Sequence, residues 1–377
     1  MKLQVLSHDE VLIANLKKTK LFHEVSMLSS IEKVDGDYLL ISDSLIDYQE
    51  LSTLQFNNVE KVFFMLSNTY EPKLEKNVKA ICDSRDIVLI PSRLMWEQII
   101  ELIELSINPS KEKNSNVFTF FSSIGNVGTT STCLSVGQIL QKHTNAKIGV
   151  LLLNAWDDGT DQIDYKGSYL DDIKSKLSGQ LIQSESEFLS CFHMMEKDSL
   201  YILGGNRNTR MERLFTKEEI HYLIQKSKEI FDIVLIDCGC HFDNAVMVQS
   251  LMESDLRFLV VNQQSKAIKK FNYIYNDVLY PLGYKHSDFL MVINQYQDEV
   301  YLPSSKEINK EINVPMITAI ERNQYGILSE QEQKLLISYN DELYRESIII
   351  IAKSISAKVN VDFIQGEEKK KKRFFGR

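Results

Sequence analysis

The run SSIGNVGTTST, residues 122–132, decides the fold. It follows the apolar run VFTFFSS (117–123) and leads into a segment with helical spacing. A glycine-bearing turn between a strand and a helix can aim backbone N–H groups at phosphate oxygens, and the helix N-terminus adds a partial positive charge. Gly125 and Gly128 permit the tight backbone, and Thr130 stands where a hydroxyl would meet Mg²⁺. The usual phosphate loop, GxxxxGK[ST], is met only in part: Ser123 takes the first glycine position and Thr129 the lysine position. Standing alone, the stretch would read as an ordinary glycine turn.

A second signal lies further along the chain. FDIVLIDCG (231–239) is an apolar strand ending in Asp237, the form of a Walker B strand, whose carboxylate can hold a metal-bound water beside phosphates. Between and beyond these two runs come KIGVLLLN (147–154), LYILGG (200–205), RFLVVNQ (257–263), FLMVINQY (289–296) and PMITAI (315–320), with helical segments between most of them. Near-continuous apolar strands signal a parallel sheet covered on both faces.

Ahead of position 117 the chain carries a smaller series of the same kind. LQVLS (3–7), EVSMLS (24–29), YLLIS (38–42), VFFMLS (62–67) and IVLIPS (87–92) read as five short strands. The last three each precede a stretch read as a helix, clearest in PKLEKNVKAICDSRD and RLMWEQIIELIELS. The polar NPSKEKNSN (108–116) marks the boundary. The domain reading is therefore a small parallel α/β domain over 1–108, a linker over 109–116, a second, larger α/β domain over 117–362 and a charged tail over 363–377.

Composition narrows the function classes. The 377 residues are 44% hydrophobic and 25% charged, with a formal net charge of −9, so nucleic acid is not an expected partner of the body of the chain. Five scattered cysteines without a CxxC pair argue against a disulfide framework, and Cys238, Cys240 and His241 lack the second ligand pair that a zinc site needs. No run of 18 apolar residues and no N-terminal apolar leader occurs, which suggests a cytoplasmic protein with reduced thiols. The basic run Lys369–Arg377, with Phe374 and Phe375, is the one candidate for contact with an anionic membrane surface. A solvated charged tail is the plain alternative.

Taken together, SSIGNVGTT resembles the SSKGGVGKT loop of the ParA/MinD-type deviant Walker ATPases, and FDIVLIDCG resembles their Walker B strand. KIGVLLLNAWDDGT resembles the strand that ends in their DxD-like motif, and VPMITAIERNQYGI resembles the segment that closes over the base. FLMVINQY resembles the strand whose asparagine, here Asn294, reaches the adenine. The resemblance covers roughly residues 115 to 355. With a receiver-like domain in front, the chain is similar to the TadZ/CpaE proteins that help localise Tad-type pilus machinery, a branch in which GVGT often replaces GVGK; the stretch VGTTST (127–132) fits that variant.

The resemblance implies a P-loop fold of the SIMIBI type, ATP and Mg²⁺ as ligands, a homodimer, and pilus or secretion components as partners. It implies that Gly125, Asn126, Val127, Gly128, Thr129, Thr130, Ser131 and Asn294 bind the nucleotide, that Thr130 and Asp237 hold Mg²⁺, and that Asp237 is the candidate catalytic residue. Four departures bear on turnover. Ile124 stands at the signature-lysine position, Thr129 at the ordinary lysine position, Asn126 replaces a glycine, and Asn154 and Trp156 replace the two acids of the DxD-like motif. Losing one such charge-assisted contact costs on the order of 2–4 kcal/mol of transition-state stabilisation, or roughly 10²–10³ in rate. The expectation is a nucleotide-bound scaffold with slow or no turnover; an active ParA-like enzyme that moves DNA or protein cargo and a pseudo-ATPase with an empty loop are the alternatives.

In the front domain, Ser7 and His8 stand where a working receiver carries its acidic pair, with Asp9 just beyond. Asp43 lies near the phospho-acceptor position, and the end of the fifth strand, Pro91 to Arg93, carries no lysine. A Mg²⁺ site needs several oxygen ligands together, so phosphorylation of Asp43 is not expected. Docking of a partner or of a second copy is the functional reading, and a stabilising appendage the plain one.

Overall fold

The computed structural model describes residues 1–364 except positions 20, 29, 32–33, 55, 57–58, 68–71, 93, 95, 108–115, 155, 196–198 and 209. The predicted linker, apart from Asn116, lies outside the described residues, as do Arg93 and the basic run Lys369–Arg377. The chain divides into two compact units, Met1–Lys113 and Asn114–Arg377.

The first unit has β1 (Lys2–Leu6), α1 (Glu10–Lys18), β2 (Glu24–Met27), β3 (Tyr38–Ser42), β4 (Lys61–Met65), α2 (Pro72–Ser84), β5 (Ile87–Ile90) and α3 (Trp96–Ile107). Its strands form one parallel sheet in the order β2-β1-β3-β4-β5, the doubly wound order of flavodoxin-like and receiver folds. Leu3, Val5, Leu40 and Phe63 pack with Leu12 and Leu16 of α1 and Ile99 and Ile103 of α3 on one face. Leu39, Ile41 and Phe64 pack with Val78 and Cys82 of α2 on the other. All five predicted strands are present. The helix expected after β3 is not: only a short 3₁₀ turn, Glu50–Ser52, forms before β4. That stretch is rich in Asp and Ser, whose side chains bond nearby backbone in competition with a helix. Asp47 accepts from the Gln49 N–H at 2.8 Å, and the Ser42 hydroxyl accepts from the Ser44 N–H at 3.3 Å.

The second unit runs β6 (Val117–Ser122), α4 (Thr129–His143), β7 (Ile148–Leu152), α5 (Lys174–Ser178), α6 (Glu185–Leu189), β8 (His193–Met194), β9 (Leu200–Leu203), α7 (Lys217–Ile230), β10 (Ile233–Asp237), α8 (Ala245–Glu253), β11 (Leu256–Val261), α9 (Ser265–Ile274), β12 (Phe289–Tyr296), α10 (Ser305–Ile312), β13 (Met316–Glu321), α11 (Gly326–Gln331) and α12 (Glu342–Lys358). The sheet order is β13-β12-β11-β6-β10-β7-β9-β8, parallel except for β8. All seven predicted strands form. The two-residue edge strand β8 is an addition, too short for any periodicity to announce.

Helices cover both faces of this sheet. Leu134, Val136, Ile139 and Leu140 of α4 and Ile348, Ile351 and Ile355 of α12 bury against Phe120, Val150, Leu235 and Phe258. Ile220, Leu223 and Ile224 of α7, Met247 and Leu251 of α8 and Phe271 of α9 bury against Phe121, Leu151, Ile236 and Leu259 on the other. The rings of Phe120 and Phe258 stack at 4.7 Å across β6 and β11. Because β6 lies between β10 and β11, the chain leaves β6 in one direction and later returns in the other. The crevice beyond the carboxyl end of β6 is thus a switch point of the sheet, where open α/β folds bind ligands.

Candidate functional site

That crevice holds the turn 123–128 between β6 and α4. Asn126 and Gly128 take left-handed backbone, φ +60° and +82°. Successive turns of this kind gather N–H groups into an anion-binding concavity. The loop's carbonyls are held by neighbouring side chains. The Ser122 hydroxyl donates to Ile124 O at 2.9 Å, Gln295 Nε2 to Asn126 O at 3.4 Å and Asn294 Nδ2 to Val127 O at 2.8 Å. Among the described residues no protein acceptor meets the N–H groups of residues 125–130. Gly125 and Asn126 are exposed, and a β-carbon on Gly125 would meet nothing within 4 Å. The loop is therefore a cradle of N–H donors at the start of a fifteen-residue helix, and this donor set fits a polyphosphate.

The predicted metal pair comes together. Asp237 ends β10 in register with Phe120 of β6 and Leu152 of β7. Its carboxylate is fully buried. Thr130 donates its hydroxyl to Asp237 Oδ2 at 2.5 Å, and the Gly239 N–H donates to Oδ1 at 3.1 Å. Burial pushes the Asp237 carboxyl up to about 6; the two hydrogen bonds restrain the rise and the nearby Asp157 charge adds to it. A hydroxyl and a carboxylate joined in this way are oxygen ligands of the kind Mg²⁺ takes.

Ser131, next along α4, is tied on two sides. Gln162 donates Nε2 to its hydroxyl at 2.6 Å, and Tyr344 of α12 donates its phenol to its carbonyl at 3.5 Å. Gln162 itself is buried, and its Oε1 has no partner among the described residues. Thr129 is buried at the helix start. Asn294 is buried beneath the loop, one amide hydrogen committed to Val127 O; a primary amide carries two, so one is left to offer a ligand edge.

The positions that usually carry acids hold other groups. Asn154 lies under Gly239, whose added β-carbon would stand 2.7 Å from Asn154 Oδ1. Trp156 is 55% exposed and packs against His241 at 5.7 Å between ring centres. Asp157 and Asp158 serve their own turn, accepting from the N–H groups of Gly159 at 2.9 Å and Thr160 at 3.0 Å. Cys238 is buried against Phe120 and Met247, and no cluster of His, Cys, Asp or Glu fit to hold a metal ion occurs among the described residues.

Sequence reasoning passed over Gln295, Gln162 and Tyr344, and gave Ser123 a place in the loop without its bond to Ala267 O. Only contacts between distant elements reveal them. Gln295 alone carries a local sign, since it follows Asn294, but its left-handed φ of +55° at the irregularity between β12 and β13 is a product of the folded sheet.

A parallel sheet that opens through an N–H-lined turn into a helix, with a buried aspartate on the adjoining strand, is a fold that this chain shares with solved structures of ParA/MinD-type ATPases. Solved structures with this fold include a ParA family ATPase from Chlorobium tepidum TLS, 16% identical with a TM-score of 0.55 over 63% of this chain and 99% of that one. MinD in the MinC:MinD cell division complex of Aquifex aeolicus is 14% identical, with a TM-score of 0.53 over 64% of this chain and 96% of that one. The septum site-determining protein MinD of Pyrococcus horikoshii OT3, complexed with Mg-ADP, is 16% identical, with a TM-score of 0.52 over 64% and 95%. At such identities the likeness is one of fold. No protein-family model matches the sequence, and no curated protein matches it. Among the described residues no helix is long and apolar enough to cross a membrane.

Proposed function

We propose that the chain is an ATP- and Mg²⁺-binding positioning factor that turns nucleotide over slowly or not at all. The observation that carries this is a contrast within one loop. The N–H donors of 125–130 and the Thr130–Asp237 pair are in place, while Ile124 and Thr129 stand at both lysine positions. Backbone donors and a metal suffice to hold phosphates; the missing cations and acids are what would stabilise the transferring phosphoryl group. The Mg-ADP held by the similar MinD of Pyrococcus horikoshii supports the choice of ligand.

In this reading residues 1–108 form an atypical receiver-like domain, 117–362 a degenerate ATPase domain and 363–377 a basic tail. ATP held between two copies favours a homodimer, and a dimer doubles weak contacts to a partner or membrane. The receiver-like fusion points to Tad-type pilus or secretion machinery as the cargo, at the cytoplasmic face of the membrane. The test is isothermal titration with ATP and Mg²⁺ beside steady-state phosphate release with and without DNA. Binding without appreciable release is expected. No heat at millimolar nucleotide would leave a pseudo-ATPase, and DNA-stimulated turnover an active ParA-like enzyme. Deleting 367–377 should reduce liposome co-sedimentation if the tail contacts lipid; unchanged pelleting removes that contact.

A further inference from the structure

The phosphate loop lacks both of its usual cations, so the charge of a triphosphate must be met from elsewhere. We infer that Lys266, in the first turn of α9, is the cation that faces the phosphates of a nucleotide on this loop. The inference rests on the nucleotide-binding reading and adds a residue to it.

Three observations converge. First, α9 is fastened to the loop at its root: the buried Ser123 hydroxyl donates to Ala267 O at 2.7 Å, joining the residue before Ile124 to the residue after Lys266. The first turn of α9 is therefore fixed beside the signature-lysine position. Second, Lys266 is exposed, as are Gly125 and Asn126 on the loop. Ala267, Ile268, Phe271 and Ile274 turn to the core, which leaves Lys266, Lys269 and Lys270 on the outer face of the helix. Third, the Lys266 ammonium has no ion pair and no hydrogen bond among the described residues, in a chain of net charge −9. A lysine is a compact charge on a long flexible stem, suited to phosphate from a neighbouring element as well as from the loop itself. Of the three lysines, Lys266 is the one beside the Ser123 contact.

The experiment titrates the full chain with ATP and, separately, with AMP, each with Mg²⁺ at low salt, for the wild type, Lys266→Ala, Lys266→Arg and the control Lys358→Ala at the exposed end of α12. Lys266→Ala should weaken ATP binding about ten-fold, the size of one charge-assisted contact, and leave AMP binding unchanged. Lys266→Arg should keep most of the affinity, and Lys358→Ala all of it. Adding Ile124→Lys should shrink the effect of Lys266→Ala, because the loop then supplies its own charge. If the wild type binds ATP and Lys266→Ala binds it equally well, or loses ATP and AMP in the same proportion, the role of Lys266 is overturned while the nucleotide reading stands. If the wild type binds no ATP, the nucleotide reading itself fails.

Discussion

The side-chain amide of Asn294 occupies the space that a β-carbon on Gly128 would need, 2.2 Å from where that carbon would stand. Strand β12 thus clamps the loop between β6 and α4 from beneath, and that loop can have no side chain at 128. The left-handed φ of +82° excludes one a second time. Gly128→Ala should destabilise the second unit by about 2–4 kcal/mol, from overpacking and backbone strain together. Asn294→Ala should cost about 1–2 kcal/mol, because Val127 O is left without its donor. The double variant should recover part of the first loss, since the obstructing amide is gone but the backbone strain is not. Urea midpoints read all three; a double variant as unstable as the sum of the two would break the clamp argument.

Asp237 makes apo stability depend on pH. Burial holds its folded carboxyl at about 6, above the ordinary value of 3.8, so the folded state binds the proton more tightly. Its contribution to stability is fully present below the unfolded value and is lost as pH rises through about 6. The loss by pH 8 is on the order of 3 kcal/mol. Asp237→Asn removes the buried charge, and the Thr130 hydroxyl can turn to accept from the new amide. The apo variant should therefore be more stable than wild type at about pH 8 and lose that advantage near about pH 4. The same variant should lose Mg²⁺-dependent ATP binding. A variant less stable than wild type at high pH would mean that the carboxylate is not costly where it lies.

The sheets were legible because strands covered on both faces show up as unbroken apolar runs, and VFTFFSS, FDIVLIDCG and FLMVINQY each became a strand. The approach of Thr130 to Asp237 was legible as well, because a loop after one strand and an acid at the end of another meet at the same edge of a parallel sheet. What stayed hidden depends on side chains reaching between elements. Nothing near Gln162 marks it as a partner of Ser131, and nothing near Ser123 says that its hydroxyl ends on Ala267, 144 positions away. The helix read after β3 failed for a local reason, the competing side-chain turns of Ser42 and Asp47.

On α7, Glu219 closes a capping box with Thr216 and receives Lys174 Nζ at 2.7 Å. Both side chains are largely buried. Burial by itself would raise the Glu219 carboxyl, but the bonds from Lys174, Ser178 and the Thr216 N–H outweigh it and hold the group below its ordinary value. A lowered carboxyl contributes stability above its unfolded value and loses it as pH falls. Glu219→Ala strands a buried ammonium and uncaps the helix, so it should cost about 3–5 kcal/mol at neutral pH. Glu219→Gln should cost less, and the gap between wild type and either variant should narrow in acid. Thermal unfolding across pH 3 to 7 checks the sign: a gap that widened on acidification would contradict the ion pair.

In the first unit, Asp43 follows β3 and its carboxylate accepts from the N–H of Ser67 at 2.8 Å and from the Ser67 hydroxyl. The residues after β1 offer it no uncommitted acid beside Ser7 and His8: Ser7 is buried and accepts from the Asp9 N–H at 3.1 Å, and Asp9 caps α1 through the Leu12 N–H at 2.9 Å. A divalent ion that must gather several oxygens finds one carboxylate already engaged and another committed to a helix end. Incubation with acetyl phosphate and Mg²⁺ should therefore give no phosphate adduct by intact mass. Ser67→Ala, which removes one of the hydrogen bonds on the Asp43 carboxylate, should not create one, because Asp9 stays committed to the helix end. Asp9→Ala should instead cost about 1 kcal/mol through loss of the cap. A stable adduct on Asp43 in the wild-type chain would show that this unit can take up a phosphoryl group with as few ligands as this geometry provides.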